Sequence, residues 1–306
     1  MTIKLNWMRG CATALVTPFK ADGAIDEERM RALVDRQIRG GVNLLVPCGT
    51  TGESATMTED EDARVIALTI EVARGRAKVI AGAGSNSTAA AIEYSKRFRE
   101  LGVDAVLQVA PYYNKPTQEG LYAHFNAIAR AVPEVPIMVY NVPGRTSSNI
   151  AAQTTLRLAR DCENIVAIKE ASGNLSQIME ILRERPANFS VLSGDDAVTL
   201  PLIALGAEGI VSVASNETPD LMSQMTNLAL EGKWDEARRL HFRLLHLMET
   251  NFIESSPGPV KAAMAMMGLL EENFRLPLVP VTEKSRAKIR EVIAELGLLE
   301  TAQARA

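Results

Sequence analysis

Cysteine is scarce: the 306 residues contain three, Cys11, Cys48 and Cys162, far apart and without a Cys-x-x-Cys pair. That spacing disfavours structural zinc and a disulfide framework, and it suits a reducing compartment. Histidine is equally rare. His124, His241 and His246 have no ligand-like neighbours, so a histidine-based triad is a poor fit and all three read as structural or surface groups. Aromatic residues make up 5% of the chain, too few for a stacking platform along single-stranded nucleic acid. A formal charge of −4 offers phosphates no basic patch, so nucleic acid is not an expected partner. No apolar run reaches the ~18 residues of a membrane-spanning helix. The apolar stretch around Cys11 to Val16 is short and breaks at Thr17-Pro18, so no export signal is read there. A cytoplasmic protein that crosses no membrane is the expectation.

What is present is an alternating pattern. A hydrophobic share of 47% with 23% charged residues is ordinary for a globular chain, and the length fits one barrel-sized domain. Short β-like runs occupy 12–16, 43–46, 78–81, 105–109, 137–140, 165–169, 190–193 and 209–213. Amphipathic segments separate them at 26–39, 59–74, 88–101, 119–131, 151–160, 175–184, 197–205 and 219–231. Eight such units in succession predict an α/β fold, a closed (β/α)8 TIM barrel. Thr58-Glu59-Asp60-Glu61 reads as a capping box, and Gly40-Gly41, Gly75 and Gly102 stand where helices should stop. A doubly wound open sheet also alternates strand and helix, but its Gly-rich first turn is replaced here by Thr17-Pro18-Phe19-Lys20. After residue 230 the strand signal disappears, and 233–251, 259–270 and 282–298 read as helices. The expected organisation is a barrel over 1–230 that carries the site, with a helical appendage over 231–306.

One residue breaks the pattern chemically. Lys169 ends the apolar, β-branched run Asn164-Ile165-Val166-Ala167-Ile168, which reads as a buried parallel strand. Burial disfavours the ammonium form and lowers the lysine pKa, and a neutral amine can form a Schiff base with a carbonyl substrate. Alternatively, the side chain snorkels to water or pairs with Glu170.

In a barrel the carboxyl ends of the strands carry the chemistry, and the unusual residues collect there. They are Gly49-Thr50-Thr51-Gly52-Glu53, Pro111-Tyr112-Tyr113-Asn114-Lys115-Pro116, Tyr140-Asn141-Val142-Pro143-Gly144-Arg145, Lys169 and Ser193-Gly194-Asp195-Asp196. Taken singly, the first could be a tight turn, Tyr140 a core-edge aromatic, Arg145 a solvated charge and Asp195-Asp196 a helix N-terminus. Taken together on one rim, they supply what an imine-forming lysine needs. Hydroxyls can shuttle protons, backbone amides and threonine can hold a small carboxylate, and an arginine can hold a second one.

These motifs, with Ile168-Lys169-Glu170-Ala171, resemble the dihydrodipicolinate synthase family of the N-acetylneuraminate lyase superfamily, in order and spacing from about residue 10 to at least 270. The resemblance implies a pyruvate-dependent class I aldolase-like lyase. Lys169 would carry the Schiff base to pyruvate, Tyr140 would exchange its proton, and Thr50 would connect Tyr140 to Tyr113 from a neighbouring subunit. Thr51 would hold the pyruvate carboxylate and Arg145 the carboxylate of aspartate semialdehyde, while Gly194 and Val211 would line the pyruvate pocket. The resemblance further implies lysine and diaminopimelate biosynthesis, no metal or other cofactor, and a homotetramer built as a dimer of dimers. Another pyruvate aldolase of the superfamily, cleaving N-acetylneuraminate or a 2-keto-3-deoxy sugar acid, would share the pyruvate half of the site. Arg145 and the Thr50-Thr51 pair favour the synthase. A pyridoxal-phosphate enzyme would need a phosphate cup and a partner for the ring nitrogen, and no convincing set is present.

Many members of the family are inhibited by lysine at a dimer-interface site. Its matching positions keep Ser54, Ala55, Asn86 and Tyr112, but Glu59 and Asp62 replace two histidines of the enteric enzymes, and Ala90 replaces a glutamate. Losing that carboxylate removes a charge-assisted contact worth about 1.5–3 kcal/mol. Lysine is therefore expected to inhibit weakly or not at all. An inhibition curve checks this, and half-inhibition at millimolar lysine or below would overturn it.

Overall fold

The computed structural model describes residues 5–299. The outermost parts of the two expected units, residues 1–4 and 300–306, lie outside the described residues. Eight parallel strands form a closed barrel in sequence order. They are β1 (Gly10–Ala14), β2 (Leu44–Val46), β3 (Lys78–Gly82), β4 (Ala105–Val109), β5 (Ile137–Asn141), β6 (Ile165–Glu170), β7 (Ser190–Ser193) and β8 (Gly209–Ser212). Pairing of β1 with β8, in the register Ala12 to Val211, completes the ring.

Two apolar layers hold it. Residues pointing inward, among them Ala12, Leu44, Ile80, Leu107, Met138, Leu192 and Val211, fill the barrel axis. Outward residues such as Leu45, Val79, Val106, Val139 and Ile168 pack under the helices. Because both faces of each strand are buried, the strands read as continuous apolar runs rather than as alternating ones.

The helices begin where the local chemistry allows. The Thr58 hydroxyl accepts the Glu61 N–H at 3.3 Å while Glu61 accepts the Thr58 N–H at 2.9 Å, a complete capping box at the start of helix Glu59–Ala73. Gly102, with φ +88°, ends helix Thr88–Leu101. The first strand starts and stops two residues earlier than the apolar run suggests. Leu15 still donates to the Val46 carbonyl, but the Val16 N–H turns to the Asn216 side chain at 3.2 Å, so a side chain replaces the ladder. A short helix, Pro143–Thr146, lies in what reads as loop after β5. Helices Trp234–Thr250, Gly258–Met266 and Glu283–Glu295 follow the last barrel helix, Pro219–Leu230; the first of them packs on that helix, and Glu283–Glu295 packs against both the first and the second. Among the described residues, no helix is long and apolar enough to cross a membrane.

Closure depends on a close backbone approach between β8 and β1. Gly209 has φ +152°, and a Cβ built there would lie 2.0 Å from the Gly10 carbonyl oxygen. Gly209→Ala must therefore push the two strands apart. It is expected to lower the unfolding free energy by at least about 1–3 kcal/mol, the usual cost of overpacking. The denaturation midpoint in urea checks this, and an unchanged midpoint would mean that closure tolerates a gap.

Candidate functional site

The strand register brings the sequence-marked residues together. Tyr140 on β5 pairs with Lys169 on β6, and both side chains face the barrel axis at its carboxyl end. The Lys169 ammonium lies 4.2 Å from the centre of the Tyr140 ring. Both residues are 6% exposed, so neither side chain snorkels to water. Glu170 is not the partner of Lys169, because the next residue of a strand points to the opposite face. It accepts hydrogen bonds from Asn141 at 3.2 Å and from the Ser172 N–H at 2.8 Å instead.

Burial is the main influence on the Lys169 amine. It lowers the pKa from 10.5 to about 7, a shift that the carboxylate of Asp196 partly opposes and that Arg145 reinforces. Such a shift corresponds to on the order of 5 kcal/mol against the charged form. Burial likewise pushes the Tyr140 phenol up to about 12, moderated by Arg145 and by a hydrogen bond with Thr50. At neutral pH the site therefore pairs an amine far more readily deprotonated than an exposed lysine with a protonated phenol.

Gly194 lies against this lysine. A Cβ there would meet the Cβ of Ala171 at 2.7 Å and Cε of Lys169 at 3.0 Å, so the absent side chain makes room for the lysine stem. Val211 is buried in the inner layer on β8. Thr51 is buried in the turn after β2, beside the exposed Thr50. Arg145 stands at the mouth on the short helix Pro143–Thr146, and its guanidinium donates to the Ser256 carbonyl at 3.4 Å.

A cavity of about 530 Å³ opens at this end, lined by Thr50, Tyr140 and Arg145 on one side and by Ser54, Ala55, Asp62 and Tyr112 on the other. A second cavity, of about 550 Å³, lies at the amino end of the barrel around Arg9, Glu208 and Trp234, away from the lysine. Of the two, the first is the one onto which Thr50, Tyr140 and Arg145 open. Within it, the Ser54 hydroxyl donates to Asp62 at 3.0 Å, and burial raises the Asp62 carboxyl to about 6. Glu59 lines the cavity and is paired with Arg97 at 3.0 Å, whereas Asn86 is not in its lining and accepts from Asn114 through its carbonyl at 2.9 Å.

Tyr113 is the one catalytic candidate that the chain does not fold into its own site. It is 88% exposed, with φ +71° and its N–H on the Thr146 carbonyl at 3.4 Å. Asp196 also departs from its expected place. It does not cap a helix but sits buried, accepting from the Val213 and Ala214 N–H groups at 3.0 and 3.2 Å and from the Ser212 hydroxyl. Sequence reading missed that its charge acts on Lys169, because that depends on β7 lying next to β6 in the sheet. His124 is buried against the Thr88 hydroxyl at 2.9 Å, and burial lowers its pKa to about 4, a structural role. Among the described residues, no group of three or more His, Cys, Asp or Glu side chains could hold a metal ion.

The fold and this site define a (β/α)8-barrel enzyme built around a desolvated lysine at the carboxyl ends of its strands. The chain belongs to the Dihydrodipicolinate synthetase family, whose sequence profile matches residues 7–296. A 4-hydroxy-tetrahydrodipicolinate synthase of Koribacter versatilis (strain Ellin345) is 56% identical over 296 residues, covering 96% of this chain and 98% of that protein. The chloride-inhibited dihydrodipicolinate synthase of Acinetobacter baumannii, solved in complex with pyruvate, superimposes with a TM-score of 0.92 at 42% identity, over 95% of this chain and 100% of that one. A monomeric dihydrodipicolinate synthase variant superimposes with a TM-score of 0.94 at 43% identity, over 96% of this chain and 98% of that one.

The desolvated amine has a direct signature. Acetylation of Lys169 by a small acylating reagent should rise as pH increases through about 7, where the ammonium loses its proton, whereas exposed lysines react only as pH approaches about 10. Peptide mass mapping across a pH series reads this. A Lys169 midpoint near 10 would show that the amine is solvated after all.

Proposed function

We propose that this chain condenses pyruvate with aspartate 4-semialdehyde, the reaction of a 4-hydroxy-tetrahydrodipicolinate synthase in lysine and diaminopimelate biosynthesis. The observation that carries the reading is the desolvated Lys169 amine 4.2 Å from the ring of Tyr140, which lines the same cavity as Arg145. The names of the relatives agree with it.

In this mechanism the neutral Lys169 amine adds to the pyruvate ketone and water leaves, giving an iminium. The phenol of Tyr140, linked to Thr50, is the group suited to carry protons in and out during these steps. Thr51 and neighbouring backbone amides hold the pyruvate carboxylate, and Gly194 and Val211 shape the space around its methyl group. Loss of a methyl proton gives an enamine, whose carbon attacks the aldehyde. The substrate's own amine then displaces Lys169 by transimination, which closes the ring and returns the free lysine. One water is released overall, and the lysine acts as electron sink, so the scheme calls for no other cofactor.

The exposed Tyr113 supports a shared site, in which the partner subunit's tyrosine completes the relay through Thr50 within a homotetramer. Ser54, Ala55, Asn86 and Tyr112 are read as the remnant of a lysine site. Residues 1–230 are read as the catalytic barrel and 231–306 as its helical appendage, and a cytoplasmic location suits the substrates.

Turnover of pyruvate with aspartate semialdehyde, N-acetylmannosamine and glyceraldehyde tests the reading. Aspartate semialdehyde alone should be consumed, and Lys169→Ala should abolish turnover. Arg145→Ala should raise KM for the aldehyde about 10- to 100-fold, the scale of a lost charge-assisted contact, and change that for pyruvate far less. Preference for a sugar aldehyde would keep the imine chemistry and overturn the substrate.

A further inference from the structure

The turn that carries Thr50 and Thr51 is held from outside the barrel strands. Within the turn, Gly52 N–H donates to the Gly49 carbonyl and Glu53 N–H to the Thr50 carbonyl, each at 3.1 Å, and Glu53 closes it with φ +57°. The Thr17 hydroxyl donates to the Gly52 carbonyl at 2.7 Å. Beneath it, the Glu53 carboxylate accepts from the ammonium of Lys261, which arrives from helix Gly258–Met266. Both side chains are 0% exposed.

Lys261 uses its remaining donors on the Thr17 carbonyl at 3.1 Å and the Asn273 carbonyl at 2.7 Å. Its ammonium also lies 4.7 Å from the ring centres of both Phe19 and Phe274. One buried cation thus joins the threonine turn, the segment after β1 and the C-terminal chain. Nearby, Arg275 donates to the Thr56 carbonyl at 3.1 Å and to Glu61, so the same segment grips the far side of the turn.

A buried ion pair is a poor way to gain stability, since apolar residues of similar volume often serve as well. Its distinctive contribution is direction. The three donors of an ammonium fix where each acceptor must lie, and here one acceptor is the side chain that ends the turn.

We infer that Lys261 is a positioning residue for the pyruvate half of the site: acting through Glu53, it sets the Thr50–Thr51 turn in the geometry that receives the pyruvate carboxylate. The C-terminal helices are then a working part of the site. This rests on the imine reading above.

The test uses the full chain and steady-state kinetics. Lys261→Met combined with Glu53→Gln removes both buried charges while nearly keeping their volume. The double variant should stay folded and raise KM for pyruvate about tenfold, as loss of one well-placed polar contact does, with KM for the aldehyde within about twofold and kcat reduced less. Thr51→Val should raise KM for pyruvate similarly, and combining it with the double variant should add little, because both act on one turn. If the double variant does not fold, Glu53→Asp keeps the charge pair but shortens the tether, and it too should raise KM for pyruvate selectively.

A folded variant with KM for pyruvate within about twofold of wild type, or a loss spread evenly over both substrates and kcat, overturns the positioning role. Borohydride trapping with pyruvate separates the two readings. Wild type that gains the pyruvate adduct on Lys169 while the variants keep their KM defeats the positioning role alone. Wild type that gains no adduct defeats the imine reading and the positioning role with it.

Discussion

Everything at the site depends on the return of β8 to β1. Closure gives the sheet an inside, and only a closed inside excludes water well enough to strip a lysine of its solvation. The ring closes where two glycine backbones meet, Gly10 with φ +99° and Gly209 with φ +152°. The Val213 and Ala214 amides at the end of β8 hold the carboxylate of Asp196, which follows β7 next to β6 and whose charge partly opposes the effect of desolvation on Lys169. The constraint that makes the barrel thus also sets the pKa of the amine.

Desolvation dominates the electrostatics, and the fold limits it on both faces of β6. Toward the axis, Lys169 meets the Tyr140 ring and the distant charge of Asp196 rather than a direct counter-ion. Toward the helices, Glu170 is buried without a cation and relies on Asn141, the Ser172 amide and Gln177. A salt bridge between these neighbours would keep Lys169 protonated. The two-residue period of a strand prevents it, because consecutive side chains face opposite ways. The amine is left with its pKa lowered to about 7, which suits the imine chemistry proposed above.

The mouth is assembled from distant parts of the chain. Ser256, Pro257 and Leu278 line the same cavity as Thr50 and Tyr140, and Arg145 reaches the Ser256 carbonyl. Lys261 and Arg275 tie that C-terminal segment to the turn after β2. Phe19 is enclosed between them, its ring 4.7 Å from the Lys261 ammonium and 4.6 Å from the Arg275 guanidinium.

Much of this was legible from local pattern. Strand and helix positions follow from runs and periodicities, and the boundaries of 105–109, 190–193, 88–101 and 175–184 agree with the structure to the residue. Thr58 and Gly102 announce a helix start and stop through chemistry confined to one turn. Lys169 stood out because a charge at the end of a buried strand is a local contradiction, and the rim followed from the rule that strand ends carry function. Other features could not be read this way. The end of β1 was displaced because Asn216, some two hundred residues away, takes the Val16 amide. Asp196 looked like a helix cap until β8 supplied its donors. Lys261, also a single charge in an apolar run, carried the same signal as Lys169, but its partner Glu53 lies 208 residues away. Sequence alone determined the elements and the residue that contradicts them, since both depend on neighbours along the chain. Tertiary structure alone decided which buried charges face one another, since Coulomb interactions and hydrogen bonds depend on distance through space, and barrel closure sets that distance.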